Sequence, residues 1–202
     1  MINYAMAFDL DLLHAYSDED IEELVRRNPA MRFERTAEGR LLVSPPAGFA
    51  SGRSNSTLVM RLGQWNERAG GGGCVLESSV GYHLPDSALF APDASWLSAA
   101  TFAALRAKQS LEGFAWICPD LVFEVVSHSD RLSRVRRKME LFVKNGAKCA
   151  VLIDPQERLV ETSDSRGVHR AVPGPTLTVP VEFLPRALAP FEVDIAELFA
   201  SA

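Results

Sequence analysis

Apolar residues recur at helical spacing in several parts of the chain, and these parts predict helices. Ser17 and Asp20 form the reciprocal pair of a capping box, which predicts that the first helix begins here and stops before Pro29. Gly146 is suited to end a later helix. The predicted helices cover 17–27, 53–68, 130–145 and a short C-terminal segment, 195–199.

Shorter apolar runs, bounded by proline, glycine and aspartate, predict strands. The segment Leu-Val-Phe-Glu-Val-Val at 121–126 is almost continuously apolar, which is typical of a central strand covered on both faces. The predicted strands cover 31–35, 40–44, 74–84, 89–97, 121–126, 150–153, 159–162 and 168–172. The β-β-β-α-β order in the middle of the chain predicts an α/β (α+β) fold, with a mixed sheet flanked by helices.

Composition places the chain among ordinary globular proteins. Its 202 residues fit one domain, 47% of them are apolar and 23% charged, and no apolar run approaches the length of a membrane span. The N-terminal segment carries acids where a signal peptide carries bases, and three dispersed cysteines lie in apolar stretches. We therefore expect a cytoplasmic protein with buried, reduced thiols. The net charge of −5 argues against a protein that coats nucleic acid, but not against a nuclease with local positive charge.

Glu124 is the most unusual residue of the sequence, because it interrupts the apolar run of a central strand. A buried carboxylate is costly unless it is paired, protonated or bound to a metal. A structural ion pair with a nearby arginine or lysine and a metal site are therefore both open interpretations.

A second carboxylate is needed for a metal site, and the Pro-Asp pairs at 92–93 and 119–120 are the candidates. Asp120 precedes Glu124 by four residues on the same strand, which separates them by roughly 13 Å and is too far for one ion. Asp93 comes from a different strand and can lie beside Glu124. We expect Asp93 to be the partner of Glu124, and Asp120 to cap the start of its strand.

Lys138 is the candidate basic residue. A helical wheel over 130–145 places it at the edge of the apolar face, beside Arg131 and Arg134, so that its amine can reach the sheet. The alternative is a lysine whose stem covers the core while its amine reaches solvent. Two carboxylates and a lysine suit a Mg²⁺ or Mn²⁺ site that activates water on a phosphodiester. The histidines have no ligand spacing, and no Lys-Ser/Thr pair follows the glycines at 70–73.

Several segments together resemble the bacterial Uma family of restriction-endonuclease-like proteins, in the PD-(D/E)XK nuclease superfamily. They are Ser79–Pro85, Ala91–Trp96, Cys118–Ser127, Ser129-Asp130, Lys138-Met139, Asn145-Gly146, Leu152–Pro155 and the tail 191–199. The resemblance implies a single nuclease-like domain over 1–202, with a core at about 48–155 and the N-terminal helix and strand pair as decoration. It implies that Asp93 and Glu124 bind the metal and that Lys138 is catalytic.

The sequence departs from the family pattern at several positions. Val126 stands where the superfamily usually has its lysine, so the basic role falls to Lys138 on the following helix. Phe49-Ala50-Ser51 offers no acid or histidine at the start of the helix, His128 replaces a common proline, and Arg136 replaces a common glutamine.

Two functions follow from these observations. The first is a Mg²⁺-dependent endonuclease that cuts DNA, which is expected as the partner in preference to RNA. The second is a catalytically inactive protein that keeps the nuclease fold as a binding or assembly module; the acidic net charge and the missing acid favour it. The sequence leaves open whether the protein forms a homodimer.

Overall fold

The computed structural model describes residues 8–10, 16–70, 72–128, 130–167, 170–172, 174–184 and 188–199. The helices are α1 (Asp18–Arg27), α2 (Phe49–Arg68), α3 (Ala99–Lys108), α4 (Leu132–Lys144) and α5 (Ile195–Phe199), with a 3₁₀ turn at Val181–Phe183. The strands are β1 (Phe8–Leu10), β2 (Arg32–Arg35), β3 (Leu41–Ser44), β4 (Cys74–Glu77), β5 (Tyr82–His83), β6 (Leu89–Phe90), β7 (Ala94–Leu97), β8 (Leu121–Val125), β9 (Cys149–Asp154), β10 (Leu159–Asp164), β11 (Arg170–Ala171), β12 (Thr176–Val179) and β13 (Phe191–Asp194).

The central element is a mixed sheet with strand order β11-β10-β9-β8-β7-β4. Strands β8 and β9 pair in parallel, whereas β7 and β8 and the other neighbours pair antiparallel. The parallel connection from β8 to β9 runs through α4, as a crossover between parallel strands requires. The predicted mixed α/β fold with flanking helices is therefore confirmed.

Both faces of β8 are covered, which explains its nearly continuous apolar sequence. Leu121, Phe123 and Val125 pack towards α2, α5 and the β12–β13 pair. Val122 and Val126 pack on the opposite face against α4, with Val135, Met139 and Phe142. This alternation places Glu124 on the face covered by α4.

A second sheet, with strand order β1-β3-β2-β6-β5, contains the predicted N-terminal strand pair. Phe33 of β2 packs with Ile21 of α1 in a separate small core. Arg32 and Glu34 alternate with Phe33 along β2, so they point to the other side of this sheet. That side faces α4 and the start of β7.

Two strands that the sequence predicts as continuous are each divided between the two sheets. The predicted strand 74–84 separates into β4 and β5, and the predicted strand 89–97 separates into β6 and β7. The second break falls at Ala91-Pro92-Asp93, where proline has no N–H for a ladder. The backbone groups of Ala91 bond instead to side chains of Glu34 and Lys138.

Other predictions differ in extent. Helix α2 begins at Phe49 rather than at residue 53, and α3 and the β12–β13 pair are additional to the predicted elements. The side chain of Ser98 caps α3 by accepting from the Thr101 N–H at 3.2 Å. The hairpin predicted at 159–162 and 168–172 is present as β10 and β11, although residues 168 and 169 lie outside the described residues.

The expectation of buried thiols holds for only one of the three cysteines. Cys149 is buried, Cys74 and Cys118 are half-buried, and none of the three forms a disulfide within the described part of the chain. Among the described helices, none combines the length and the apolar character needed to cross a membrane.

Candidate active site

Asp93 and Glu124 lie side by side on the same face of the central sheet. Ala94 of β7 is paired with Phe123 of β8, so continuing this antiparallel register places Asp93 opposite Glu124. Ser95 and Leu97 of β7 face α4, and Asp93 shares their parity. Both carboxylates are buried, with relative exposures of 8% and 5%.

The carboxylate of Asp93 is held from two directions. Its Oδ2 accepts the Val125 N–H at 2.9 Å, which links it to β8. Its Oδ1 accepts Nη1 of Arg32 at 3.2 Å. Asp93 therefore lies between the central sheet and β2 of the second sheet.

Lys138 of α4 lies between two carboxylates. Its Nζ is 2.6 Å from Oε1 of Glu124 and 2.7 Å from Oε1 of Glu34, and it donates to the Ala91 carbonyl at 2.9 Å. The structure thus brings together all three residues that the sequence singled out, Asp93, Glu124 and Lys138. It also realises the ion pair that was the alternative interpretation of Glu124.

Sequence analysis missed Glu34, the second carboxylate at Lys138. Glu34 is 5% exposed and also accepts the Ala91 N–H at 2.8 Å. In the sequence it follows Phe33 in simple alternation, which is the pattern of a strand with one solvent-facing side. Only the packing of the second sheet against α4 buries that side, so no local signal identified this residue.

The pKa values of the ionisable groups in this cluster shift in different directions. Burial raises the pKa of Glu124 to about 8, against the opposing attraction of Lys138. Burial also acts to raise the pKa of Glu34, but Lys138 and Arg32 outweigh it and hold that pKa below its ordinary value. Burial disfavours the charged amine of Lys138, yet Glu124 and Glu34 raise its pKa overall. Glu34 is therefore the ionised partner of Lys138, and Glu124 is the carboxyl that titrates.

The cluster lines a cavity of about 500 Å³ between β2, β3, α2 and α4. Its basic side chains are Arg32, Arg40, Arg134, Arg137 and Lys138. Asn55 of α2 also lines it, and its buried Oδ1 has no hydrogen-bond partner among the described residues. The cavity is within the usual size of ligand sites, which is roughly 300–1,000 Å³.

The donor set suits a hard divalent cation. Asp93 and Glu124 present carboxylate oxygens, the ligands that hard divalent cations prefer, although Oε1 of Glu124 also lies 2.6 Å from the Lys138 Nζ. The described residues contain no group of three or more His, Cys, Asp or Glu side chains placed to hold a metal. Asp93 and Glu124 would thus supply two ligands, and water and a substrate phosphate the others, which is a common way to bind Mg²⁺.

Asp120, the alternative candidate that the sequence analysis set aside, lies outside the cavity. Its Oδ2 accepts the Ser98 N–H at 2.8 Å, just before α3, and its backbone carbonyl accepts the Lys148 N–H at 2.7 Å. Asp120 thus links the C-terminal end of β7 to the N-terminal end of β9. It lies just before β8, at the opposite end of that strand from Glu124.

We therefore expect Asp120→Asn to leave metal affinity unchanged, because the amide oxygen can still accept the Ser98 N–H and no cavity residue is altered. Calorimetric titration of Mg²⁺ into this variant and into Asp93→Asn checks the assignment. An equal loss of Mg²⁺ affinity in both variants would mean that Asp120 had been excluded incorrectly.

The histidines that can be described are not at the cavity. The imidazole of His83 is buried and stacks on Trp116 with ring centroids 4.0 Å apart, and His128 is exposed with its Nδ1 2.8 Å from Gln156 Oε1. His14 and His169 lie outside the described residues. His128 is thus exposed and hydrogen-bonded, whereas His83 is buried and packed against Trp116.

Comparisons with known proteins identify the family and the fold of the chain. The model of the Uma2 family, described as "Putative restriction endonuclease", matches residues 18–190 of the chain. A crystal structure from Anabaena variabilis, described as "a putative nuclease belonging to DUF820", aligns with a TM-score of 0.67 at 18% identity, covering 84% of this chain and 90% of that one. The two chains therefore share a fold. A search of curated proteins found no match.

Proposed function

The chain belongs to the Uma2 family, and on that premise we propose that it is a Mg²⁺- or Mn²⁺-dependent endonuclease that hydrolyses DNA phosphodiester bonds. The observation that carries the proposal is the placement of Asp93 and Glu124 on one sheet face, inside a cavity and beside Lys138. Two adjacent buried acids are a costly arrangement for a structural core, whereas Mg²⁺ at a phosphoryl-transfer site is commonly bound through one or two carboxylates.

In this proposal Asp93 and Glu124 bind the metal, which would lower the pKa of a bound water and stabilise charge on the scissile phosphate. The Val125 N–H fixes the orientation of Asp93 through its Oδ2. Lys138 positions Glu124, with its Nζ 2.6 Å from Oε1, and adds positive charge to the cavity. The buried setting strengthens each of these interactions relative to water.

Nucleic acid is the proposed substrate class because basic side chains line the cavity of this acidic protein, and the family description, "Putative restriction endonuclease", favours DNA over RNA. Arg40, Arg134 and Arg137 line the cavity around the carboxylates. The net charge of the whole chain is −5, so any binding of nucleic acid must depend on such local groups.

Nicking of supercoiled plasmid over a Mg²⁺ titration tests the proposal. We expect wild-type protein to nick the plasmid only with Mg²⁺ or Mn²⁺, and Asp93→Asn to reduce the rate by at least 10²–10³-fold, roughly the effect of losing one electrostatic stabiliser. Asp120→Asn is the matched control, because it makes the same chemical change outside the cavity. Cleavage of RNA in preference to DNA would overturn the choice of substrate, and nicking by Asp93→Asn at the wild-type rate would overturn the site.

One observation favours the second function, a nuclease fold used for binding alone. Arg32 and Lys138 already provide counter-charges for Asp93 and Glu124, so the acids are partly neutralised without a metal. This function predicts no increase in melting temperature with Mg²⁺ and no nicking, together with retained binding of nucleic acid. The plasmid assay and a melting curve with and without Mg²⁺ separate the two functions.

A further inference from the structure

The positive charges of the cluster are engaged to different degrees. The Lys138 ammonium has three N–H groups, and three oxygens lie within 2.9 Å of it, from Glu34, Glu124 and Ala91. A phosphate could approach Lys138 closely only by displacing one of these oxygens. Lys138 is therefore suited to position Glu124 rather than to bind substrate directly.

Arg32 is held much less firmly. It makes one contact with Asp93, at 3.2 Å, which is longer than the roughly 2.7–2.9 Å of a charge-assisted hydrogen bond. Its Nε is buried and has no hydrogen-bond partner among the described residues, while 31% of the side chain is exposed. The guanidinium thus has donor capacity that the described residues leave unused, next to the proposed metal ligand.

Arg136, unlike Arg32, forms a two-pronged ion pair with a carboxylate. Its Nε and Nη2 donate to the two carboxylate oxygens of Glu161, at 2.8 and 2.7 Å. It is not among the residues that line the cavity. The two arginines therefore differ in their surroundings and not in their chemistry.

The occupation of Asp93 by a cation would change the position of Arg32. Asp93 accepts both the Val125 N–H and the Arg32 Nη1, so a metal held by Asp93 and Glu124 would add positive charge beside the guanidinium. Repulsion between the two positive charges would weaken the contact of Arg32 with Asp93. A phosphate that arrives with the metal offers two oxygens to the planar fork of the guanidinium in the same cavity.

From these contacts we infer that Arg32 is a substrate-binding residue of this site, which moves from Asp93 to the scissile or adjacent phosphate when metal and nucleic acid bind. The inference rests on the proposed nuclease function. It assigns the N-terminal strand pair a direct part in the site, because Arg32 binds phosphate from the same strand whose Glu34 holds Lys138.

The salt dependence of binding tests this inference without cleavage. A fluorescein-labelled oligodeoxynucleotide duplex is titrated with protein in Ca²⁺, which binds oxygen ligands as Mg²⁺ does, and a gel verifies that the probe stays intact. For Arg32→Gln we expect roughly tenfold weaker binding, and a plot of log K against log salt whose slope is smaller by about 0.9, the contribution of one phosphate contact on duplex DNA. Arg136→Gln removes the same charge and should leave the slope unchanged.

Each outcome of the binding titration either supports or overturns the role of Arg32. If Arg32→Gln binds with the wild-type slope, Arg32 only pairs with Asp93 and the inference is overturned. If Arg32→Gln does not fold, Arg32→Lys decides: weaker binding with an unchanged slope supports a phosphate contact that uses the planar fork, and unchanged affinity overturns it. If wild-type protein itself binds no nucleic acid, the proposed function fails and the inference fails with it.

Discussion

Lys138→Met is expected to lower the free energy of unfolding by about 3–5 kcal/mol, the cost of removing one partner from a buried ion pair. The methionine keeps the length of the stem but leaves Glu34 and Glu124, both 5% exposed, without their shared cation. It also leaves the Ala91 carbonyl without its donor. Urea denaturation at pH 7 in the absence of metal measures the change.

The loss should shrink as the pH falls. Lys138 holds the pKa of Glu34 below its ordinary value, so this contribution to stability is present at neutral pH and disappears as Glu34 becomes protonated in acid. The matched control is Lys144→Met, an exposed lysine on the same helix, whose effect should stay within about 0.5 kcal/mol. A wild-type stability for Lys138→Met would show that the amine does not compensate the two carboxylates.

The same substitution should also reduce nicking by about 10²–10³-fold under conditions in which the variant is folded. From the sequence alone, a catalytic lysine and a structural lysine are competing interpretations. In the structure they coincide, because the amine that stabilises Glu124 also fixes the orientation of a proposed metal ligand. Stability and activity should therefore fall together.

The sequence could reveal Glu124, Asp93 and Lys138 because each violates or borders a strong local pattern. Glu124 interrupts an apolar strand, Asp93 follows a proline at a strand start, and Lys138 lies at the edge of an apolar helical face. The mixed sheet and its crossover helix follow from the same long periodic segments. These features depend on neighbours in the sequence, and for this reason they were predictable.

Arg32 and Glu34 could not be found in this way. Their alternation with Phe33 is the ordinary pattern of a half-exposed strand, and their burial depends on a sheet assembled from distant segments. The break of the predicted strand 89–97 has the same origin, since Ala91 bonds to Glu34 and Lys138 rather than to a neighbouring strand. Long-range packing overrides local preference at this site, as is common for functional sites.

Glu124→Gln is expected to abolish metal-dependent nicking, with a loss of at least about 10²–10³-fold, while the metal-free protein keeps or gains stability at alkaline pH. Burial raises the pKa of Glu124 to about 8, above the ordinary value of the unfolded chain. The protonated Glu124 side chain therefore makes its full contribution to stability below the ordinary pKa of a glutamate. This contribution is lost as the pH rises through about 8. Glutamine does not titrate, so melting temperatures from pH 5 to 9 should fall less steeply for the variant.

Glu124→Gln should destabilise the metal-free protein much less than Lys138→Met does. Removing Glu124 leaves Lys138 paired with Glu34 and the Ala91 carbonyl, so no charge is stranded. Glu192→Gln, an exposed change on β13 away from the cavity, is the control and should alter neither nicking nor the pH profile. If Glu124→Gln instead lost as much stability as Lys138→Met at every pH, Glu124 would be the ionised structural partner of the lysine. If Glu124 serves catalysis, its charged form should destabilise the metal-free protein, and its carboxylate should be required only when metal is bound. Such a loss of stability is common where function is selected over stability.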